Sequence, residues 1–302
     1  MIMPNSISYA SKYAPELDKK IIQGAKTGFF ADSKFKAKFV GARTVYLPSF
    51  EAEGMGNYER AGDENNTIGY SRGSLTVTNK PYILTMERSK QLLIDAQDVD
   101  ESGVGNLVGH TVNEYTKCYV TPEVDAYVLS TLFQKAASKN NKTTFDSSKA
   151  VEQMIAAING AEAANGYNNE TMVAFVDPVM YAALMNSDKL QRSITVSDFK
   201  QGEVNLKVKS LNGVMIIPVS PERMKSEFVF DNKGFAPTES AVNVNAIILP
   251  KNAASLVKKV EQIDVYPPKD VQDFNAYKVN FLLYYDCFVT AAKEGLIFAI
   301  GG

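Results

Sequence analysis

The chain has few of the residues on which metal and nucleophile chemistry usually depends. Its 302 residues include one histidine, His110, and two cysteines, Cys118 and Cys287. A zinc site or a Cys/His nucleophile pair needs several such side chains close together, so the sequence offers no material for either. Both cysteines lie on strongly apolar segments, which predicts two buried free thiols in a reducing compartment rather than a disulfide. We therefore expect a cytosolic protein.

The sequence also lacks an excess of charge of one sign and a long apolar run. It has 32 basic and 34 acidic side chains, a balance that marks neither a nucleic-acid-binding surface nor an anionic-membrane surface. No uncharged apolar run approaches the ~18 residues of a membrane span. The start of the chain lacks the basic and apolar regions of a signal peptide. The sequence therefore predicts neither membrane insertion nor export.

One motif matches the sequence pattern of a hydrolase, but the residues around it do not match the structure that this pattern requires. Residues 69–73 follow the G-x-S-x-G pattern of a nucleophile elbow, in which a strand-to-helix turn exposes the serine, here Ser71. The residues from Leu75 onwards are typical of a strand rather than a helix. His110 lies on a predicted helix, with no separate domain between to supply an acid. A serine hydrolase using Ser71 is therefore kept only as a remote alternative.

Two further motifs are incomplete. Residues 98–102 imitate the first half of a calcium-binding EF-hand loop, but the twelfth position, which must be a bidentate glutamate, is Gly109. The glycines at 103, 105 and 109 miss the dinucleotide-binding fingerprint by one place, and no phosphate-binding loop sequence occurs. The sequence thus predicts no catalytic, cofactor-binding or metal-binding residue, and the protein is not expected to be an enzyme.

The longest periodic stretch covers residues 95–137 and predicts one long helix. Apolar residues recur at three- and four-residue spacing on both sides of Pro122, and the predicted buried face includes Cys118 and Tyr119. Because proline removes a helical hydrogen bond, we expect at Pro122 either a kink or a fresh start capped by Thr121. The acidic start suits the helix dipole and supplies the predicted caps Asp98, Asp100, Glu101 and Ser102.

Two strand-like stretches flank a long polar loop. Residues 39–50 and 75–86 are rich in strand-forming residues, and residues 51–74 between them carry five glycines. The pattern predicts a two-stranded arm with a wide tip. An isolated hairpin is marginally stable in water and leaves its edges open for pairing. We therefore expect another subunit to cover the arm, which is the first indication of an assembly.

The second half of the chain predicts a compact α+β unit followed by strands. A helix is expected after the cap sequence at Asp146, a strand at residues 172–176, and a second helix after Asp177-Pro178. Asn212-Gly213 between two apolar runs predicts a hairpin. The remaining strands are predicted at residues 244–249, 256–266, 279–289 and 296–300. The fold class expected for the chain is α+β.

Several short motifs, taken in chain order, resemble those of one family. They are Asn5-Ser-Ile-Ser-Tyr-Ala-Ser-Lys-Tyr13, Val45-Tyr-Leu-Pro48, Gly56-Asn-Tyr-Glu-Arg60, the acidic run from Asp95 to Glu101, Pro122-Glu-Val-Asp-Ala-Tyr127, Asn212-Gly-Val-Met-Ile-Ile-Pro-Val219 with Pro221-Glu-Arg-Met224, and Phe281-Leu-Leu-Tyr-Tyr-Asp286. On these residues the chain resembles, over nearly its whole length, the major capsid proteins of tailed bacteriophages with the Hong Kong 97-like fold.

The resemblance implies a particular domain organisation and a set of subunit contacts. The implied parts are an N-terminal arm (1–38), an extended two-stranded E-loop (39–86), a P-domain (87–145 and 244–302) with a spine helix at about 101–137, and an A-domain (146–243). The apolar and charged residues of the E-loop tip that we expect to contact a neighbouring subunit are Met55, Tyr58, Arg60 and Ile68.

The resemblance also implies a function. The chain is expected to assemble with itself into hexamers and pentamers of an icosahedral virion shell, in the host bacterial cytoplasm. The shell would enclose double-stranded DNA without sequence-specific binding. No long charged helical extension precedes the arm, so the scaffolding protein is expected to be separate, and a portal and a decoration protein are further expected partners. An encapsulin-type nanocompartment shell is the alternative within the same fold.

Overall fold

The computed structural model of the chain describes most residues beyond the N-terminal segment. These are residues 25–32, 38–40, 43–56, 58, 70, 73–101, 107–166, 171–186, 194–201, 204–211, 213–272 and 274–302. The chain divides into two compact units, which are described separately: a smaller unit, Lys34–Thr85, and a larger one that combines Met1–Ser33 with Met86–Gly302. The predicted contacts Arg60 and Ile68 lie outside the described residues, and so does Ser71.

The smaller unit is an antiparallel sheet with the strand order β1-β2-β3. Its strands are β1 (Lys38–Val40), β2 (Thr44–Ala52) and β3 (Leu75–Ile83). The predicted pairing of two long strands is confirmed, since β2 and β3 pair from Thr44–Ile83 to Ala52–Leu75. The arm is nevertheless three-stranded, because the single strand predicted over residues 39–50 turns back after Val40 and forms both β1 and β2.

The larger unit mixes strands and helices along its whole length. Its described strands are β4 (Met86–Asp95), β5 (Lys142–Thr143), β6 (Met172–Val176), β7 (Ile194–Gln201), β8 (Val204–Leu211), β9 (Val214–Pro218), β10 (Phe228–Asp231), β11 (Gly234–Pro237), β12 (Val244–Pro250), β13 (Ala254–Tyr266), β14 (Ala276–Val289) and β15 (Phe298–Gly301). Its described α-helices are α1 (Ala96–Glu101), α2 (Leu107–Tyr115), α3 (Thr121–Ser138), α4 (Ala150–Ala164) and α5 (Pro178–Met185). A π-helical turn, Thr116–Val120, joins α2 to α3, and short 3-10 turns occupy Gly28–Asp32, Ser147–Lys149, Pro221–Arg223, Pro268–Asp270 and Glu294–Leu296.

A seven-stranded mixed sheet forms the centre of this unit, in the order β5-β15-β12-β6-β9-β8-β7. Side chains of successive strand residues point to opposite faces, and both faces of β6 are covered by helices. Val173 and Phe175 pack in the cluster that contains α3, whereas Met172, Ala174 and Val176 pack in the cluster that contains α4 and α5. All five residues are buried, so the sheet is the core of the unit.

A second sheet, β13-β14-β4, lies in the same unit and includes a strand that the sequence did not predict. β4 pairs with β14 along ten residues, from Met86–Tyr285 to Asp95–Ala276. Its polar sequence gives weak strand propensity, so the long pairing with β14, rather than local preference, decides its structure. The predicted long helix therefore begins too early, because Asp95 ends this strand.

The start of the helical region differs from the prediction in its caps. Asp95 supplies the cap of α1, since its carboxylate accepts from the N–H of Gln97 at 2.8 Å. Asp98, Asp100 and Glu101, predicted as caps, lie within α1 instead, and Ser102 is outside the described residues. The cap role therefore falls three residues earlier, at the junction of strand and helix.

The helix over residues 107–138, here called the spine helix, is continuous through Pro122. The N–H of Thr121 donates to the carbonyl of Thr116, five residues back, and Thr121 itself has helical φ and ψ angles. The predicted fresh start with Thr121 as cap is therefore wrong, and the π-helical turn takes the place of a break. Buried positions step by five residues across this turn, from Thr116 to Thr121, so Cys118 and Tyr119 are turned into solvent. Their predicted burial is wrong for this reason.

Most other local predictions are confirmed. The carboxylates of Asp146 and Asp177 cap the following turns, accepting from the N–H groups of Ser148 and Met180. Gly213, at φ +81°, joins β8 to β9 as the hairpin pattern predicted. β7, β10 and β11 were not predicted. The A-domain limits of 146 and 243 stay a prediction, and the seven-stranded sheet also takes β12 and β15 from beyond them.

Candidate functional site

Apolar side chains are exposed along β3, one of the two edge strands of the smaller unit's described sheet. Eight of its nine residues are exposed, among them Leu75 at 70%, Val77 at 53% and Ile83 at 62%. An edge strand presents backbone groups that can pair with another chain, and proteins usually protect such strands with charge or a covering element. The exposed apolar residues of β3 form a surface that is available for contact with a partner.

The base of the loop tip is closed by a cluster of hydrogen bonds. The carboxylate of Glu53 accepts from the N–H and the hydroxyl of Ser74, at 3.1 and 2.8 Å, and the N–H of Glu53 donates to the carbonyl of Ser74. The two bonds from Ser74 lower the pKa of Glu53. The residues between them are thereby separated from the strands as a distinct tip.

Two tyrosines connect the two sides of this tip. The rings of Tyr58 and Tyr70 meet edge to face, with centroids 5.3 Å apart, and both side chains are largely exposed. Met55 is fully exposed. Of the four contacts predicted from sequence, Met55 and Tyr58 are therefore on the surface, while Arg60 and Ile68 are outside the described residues. Tyr70 was not predicted, although its aromatic character in a polar loop was a usable signal.

In the larger unit, Arg88 joins three elements. Its guanidinium makes a two-point contact with the carboxylate of Glu123 on α3, with Nε to Oε1 at 2.5 Å and Nη2 to Oε2 at 3.2 Å. Nη2 also donates to the carbonyls of Asp231 and Gly234, at the turn between β10 and β11. Such forked contacts fix geometry as well as supply energy, so β4, the spine helix and the hairpin are held as one junction.

A cleft of about 640 Å³ lies beside this junction. Its walls come from β4, the spine helix, the β10–β11 turn and β14, and they include the aromatic rings of Tyr115, Tyr119 and Phe281. Tyr115 packs between the other two, with centroids 5.1 Å from Tyr119 and 4.9 Å from Phe281. The sequence did not predict this cleft because β4, which forms one wall, was not recognised as a strand.

Asp125 anchors the described part of the N-terminal segment. This wholly buried carboxylate of α3 accepts from the N–H groups of Lys26 and Thr27 and from the Thr27 hydroxyl, at 2.8 to 3.1 Å. Arg223 donates to it at 3.0 Å. Burial raises the pKa of Asp125, and these hydrogen bonds and the guanidinium charge oppose the rise. The site is a structural clamp whose four donors satisfy the carboxylate inside the fold.

The two cysteines occupy different environments. Cys287 is buried, and burial raises the pKa of its thiol to about 12. Cys118 is exposed on the π-helical turn, so the predicted burial holds for Cys287 alone. His110 is also exposed. Among the described residues, no three His, Cys, Asp or Glu side chains are grouped as a metal site would require.

The described helices give one further negative finding. Within the ranges that the structure covers, no helix combines the length and the apolar character needed to cross a membrane.

Comparison with solved structures identifies the fold. The chain is similar to a chain of Mycobacterium phage Bobi, with a TM-score of 0.57 and 12% identity over 90% of this chain and 89% of that one. It is similar to the asymmetric unit of the bacteriophage PhiM1 mature capsid, with a TM-score of 0.55 and 12% identity over 86% and 82% of the two chains. It is also similar to a virus-like particle from Pyrococcus furiosus, with a TM-score of 0.52 and 8% identity over 97% and 99%. No protein-family model and no curated protein matches the sequence.

These similarities define a class of architecture. The chain has the fold of proteins found in shell-like particles, and within that class it has the α+β, Hong Kong 97-like fold of phage capsids. The predicted fold is thereby confirmed. Because every identity quoted is far below 25%, function is argued separately from the surfaces described above.

Proposed function

We propose that the chain is the major capsid protein of a tailed bacteriophage, assembling into hexamers and pentamers of an icosahedral shell around double-stranded DNA. The observation that carries the proposal is the exposed edge strand β3, with Leu75, Val77 and Ile83 open to solvent on a protein of this fold. An extended sheet with apolar residues on its surface suits contact between subunits better than an isolated monomer. The similarity of this chain to the PhiM1 mature capsid supports the same function.

The proposal includes its location and partners. Assembly takes place in the host bacterial cytoplasm, and the final location is the virion capsid. Besides copies of itself, the protein meets a separate scaffolding protein, a portal and a decoration protein, and it holds DNA by enclosure rather than by sequence-specific binding. It is not an enzyme, so a serine-reactive probe should leave Ser71 unlabelled.

The first experiment asks whether the protein forms particles. Full-length protein, produced together with its scaffolding protein, should give a large species in light scattering and closed shells in negative-stain micrographs. Exposed apolar surface on β3 is the physical reason for expecting association. A sharp monomer peak at high concentration, in the presence of the scaffolding protein, would contradict the proposal.

The second experiment removes the loop tip, residues 54–73. Because Glu53 and Ser74 already pair, an Asn-Gly turn between them should close the hairpin without strain. The tip contributes little to any core, so the melting temperature should stay near that of the unmodified protein while shells disappear. Normal shells from the deleted protein would show that the tip is not an assembly element.

A matched pair of point variants sharpens this test. Replacing Met55 and Tyr58 by serine removes two of the proposed contact residues, whereas replacing Asn57 by serine changes a polar residue between them. Interface energy usually rests on a few apolar or aromatic residues. The double variant should lose shells and the Asn57 variant should keep them.

The alternative is an encapsulin-type nanocompartment with the same fold. The similarity to a virus-like particle from Pyrococcus furiosus, over 97% of this chain and 99% of that one, shows that the fold also occurs in a particle that is not named as a phage capsid. The contents of purified particles separate the two functions. Particles filled with double-stranded DNA support the capsid, and particles filled with a cargo enzyme support the nanocompartment.

A further inference from the structure

The cleft beside Arg88 extends along one edge of the sheet β13-β14-β4. Five consecutive residues of β4, from Glu87 to Gln91, line it. Successive side chains of a strand point to opposite faces, so the side chains on one face of β4 would supply only every second of these residues. The cleft therefore also reaches the backbone of β4. Among the described strands, β4 pairs with β14 alone, so this backbone belongs to an edge strand.

The hydrogen bonds of β4 show which of its backbone groups face the open edge. The N–H of Ala96, which continues the pairing of β4 with β14, donates to the carbonyl of Asn275 at 3.0 Å. Antiparallel residues alternate between bonded and non-bonded pairs, so the even-numbered residues of β4 bond to β14. The N–H and C=O groups of the odd-numbered residues, including Ser89 and Gln91, consequently point away from β14. These are the groups with which an added strand pairs.

The aromatic wall of the cleft suits the side chains of such a strand. Tyr115 packs between Tyr119 and Phe281, and the ring of Tyr119 is 61% exposed. The cleft volume of about 640 Å³ is in the usual range of binding sites. An extended segment places every second side chain on one face. The cleft therefore favours a segment with apolar or aromatic residues at two-residue spacing.

A segment near the start of the chain has this pattern. In Asn5-Ser-Ile-Ser-Tyr-Ala-Ser-Lys-Tyr13, here called the donor segment, the odd positions include Ile7, Tyr9 and Tyr13, whereas the even positions hold serine, alanine and lysine. The alternation predicts a strand with one apolar, aromatic face. The donor segment contains no proline, so each of its residues has an N–H group to pair.

The described residues that follow the donor segment are anchored away from the cleft. Thr27 is bonded to Asp125, which is about 200° around the spine helix from the cleft residue Glu123. The turn Gly28–Asp32 packs against β13, and β13 and β4 are opposite edges of the described sheet. Residues 14–24 between donor segment and anchor span at most about 36 Å. This arrangement favours delivery of the donor segment to the β4 edge of an adjacent copy.

We propose that the donor segment of one copy of the chain adds as a strand to the edge of β4 in a neighbouring copy. The inference rests on the proposed function for the presence of that neighbour, and it names one contact of the assembly. Main-chain hydrogen bonds to Ser89 and Gln91 hold the segment, and Ile7 and Tyr9 pack against the aromatic wall. Because the two surfaces in contact differ, the association is head-to-tail, which is the kind that generates rings.

The first test joins the proposed partners by cross-linking in full-length protein produced with its scaffolding protein. One copy carries Ser8→Cys and a second, differently tagged copy carries Gln91→Cys, because strand addition places both side chains on the face opposite the aromatic wall. Cys118→Ser removes the exposed native thiol from both copies. Cys287 is buried, with the pKa of its thiol raised to about 12, and stays unreactive. A short bismaleimide should give a dimer that contains both tags.

The same reagent separates other occupants of the cleft. A chain carrying both Ser8→Cys and Gln91→Cys that cross-links only within itself would show that each donor segment binds its own cleft. A dimer between Met55→Cys and Gln91→Cys copies, with none from Ser8→Cys, would assign the cleft to the loop tip of a neighbour. Either result, or the absence of any cross-linked dimer, would overturn the inference.

A matched pair of proline variants tests the edge of β4. The N–H groups of Ser89 and Leu93 both point away from β14, so a proline at either position removes no hydrogen bond of the described sheet. Ser89 lines the cleft and Leu93 lies beyond it. Ser89→Pro should lower the yield of the dimer by about tenfold, and Leu93→Pro by less than about twofold. Equal losses in the two variants, with circular dichroism unchanged, would contradict the proposal.

A second pair of variants changes the donor segment and leaves every described residue as it is. Ile7→Ser combined with Tyr9→Ser removes apolar side chains from the face that meets the aromatic wall, whereas Ser6→Ala combined with Ala10→Ser changes the other face. The first combination should lower the dimer yield by about tenfold and the second should preserve it. A dimer that forms equally well in both would overturn the inference, and damage to the cleft cannot account for the difference expected.

Shell formation by the same samples is scored separately in micrographs. Shells without the dimer between Ser8→Cys and Gln91→Cys copies would overturn this inference and leave the proposed function standing. The dimer without shells would contradict the proposed function and still support strand addition between copies.

Discussion

β6 and β3 are both strands that carry apolar residues, but these residues lie in opposite environments. Every residue of β6 is buried between the spine helix on one face and α4 and α5 on the other. Eight of the nine residues of β3 are exposed. Burial of apolar surface is the main stabilising term in folding, so β6 contributes to the stability of its own chain and β3 does not. The free energy that burial of the exposed β3 side chains would release is available for association with another subunit instead.

The same contrast holds between the two units. Its central sheet, the helices on both faces and the clamp at Asp125 satisfy one another within one chain. The smaller unit has a described hydrogen-bonded sheet but little burial along β3. Substitutions should therefore change folding in the first region and assembly in the second.

The largest expected loss of stability comes from Asp125→Ala. The change removes the acceptor of Lys26, Thr27 and Arg223 inside the fold and leaves Arg223 without its carboxylate. Breaking a buried charge pair by removing one partner costs about 3–5 kcal/mol. Urea unfolding followed by circular dichroism should show the loss, and the exposed control Asp100→Ala should stay within about 0.5 kcal/mol of the unmodified protein. An equal loss of stability in the Asp125→Ala and Asp100→Ala variants would contradict our conclusion that the buried carboxylate of Asp125 stabilises the larger unit.

A second test changes one apolar residue in each region to alanine. Leu132 is wholly buried on α3, so Leu132→Ala should lower the free energy of unfolding by about 2–5 kcal/mol. Val77 is 53% exposed on β3, so Val77→Ala should change it by less than about 0.5 kcal/mol while reducing shell yield. Denaturation midpoints and particle counts measure the two outcomes. A Val77→Ala protein that unfolds as easily as the Leu132 variant would contradict our view of β3.

The smallest expected effect is pH-dependent and concerns Glu294. Hydrogen bonds and charge from Lys135 and Lys139 lower the pKa of Glu294 below its ordinary value of 4.5. Because the folded state prefers the carboxylate, this stabilisation is present above about pH 4.5 and is lost as pH falls through the lowered pKa. Solvent screening of the exposed lysines limits it to about 1 kcal/mol or less. Glu294→Gln should therefore cost stability at pH 7, and the cost should shrink as the pH falls below about 4.5, measured by denaturant unfolding.

Local sequence signals predicted much of the fold. The caps at Asp146 and Asp177 and the Asn-Gly turn before β9 depend on neighbouring residues alone, and all three were confirmed. β4 was missed because its strand structure depends on pairing with β14, nearly two hundred residues later in the chain. Arg88 was missed for the same reason, since its acceptors come from two distant segments, the spine helix and the turn between β10 and β11.

The candidate assembly site was only partly predictable. A polar, glycine-rich loop between strand-like runs indicated an arm in need of a partner, and Met55 and Tyr58 are exposed as expected. Which strands lie at the edges of the sheet depends on the strand order, which puts β3 at one edge, and sequence periodicity does not contain that order.

The π-helical turn in the spine helix has a consequence for how the chain tolerates change. An α-helix advances about 100° per residue, and the π-helical turn contains one additional residue. This residue sets the angle between two faces of the spine helix. One face packs Tyr115 against Phe281, and the other buries Asp125. Deleting a single residue from 116–120 would leave a regular, well-formed helix and yet rotate one half of it by about 100° relative to the other. At residues 116–120, a regular α-helix is therefore incompatible with the observed packing of the two halves of the spine helix.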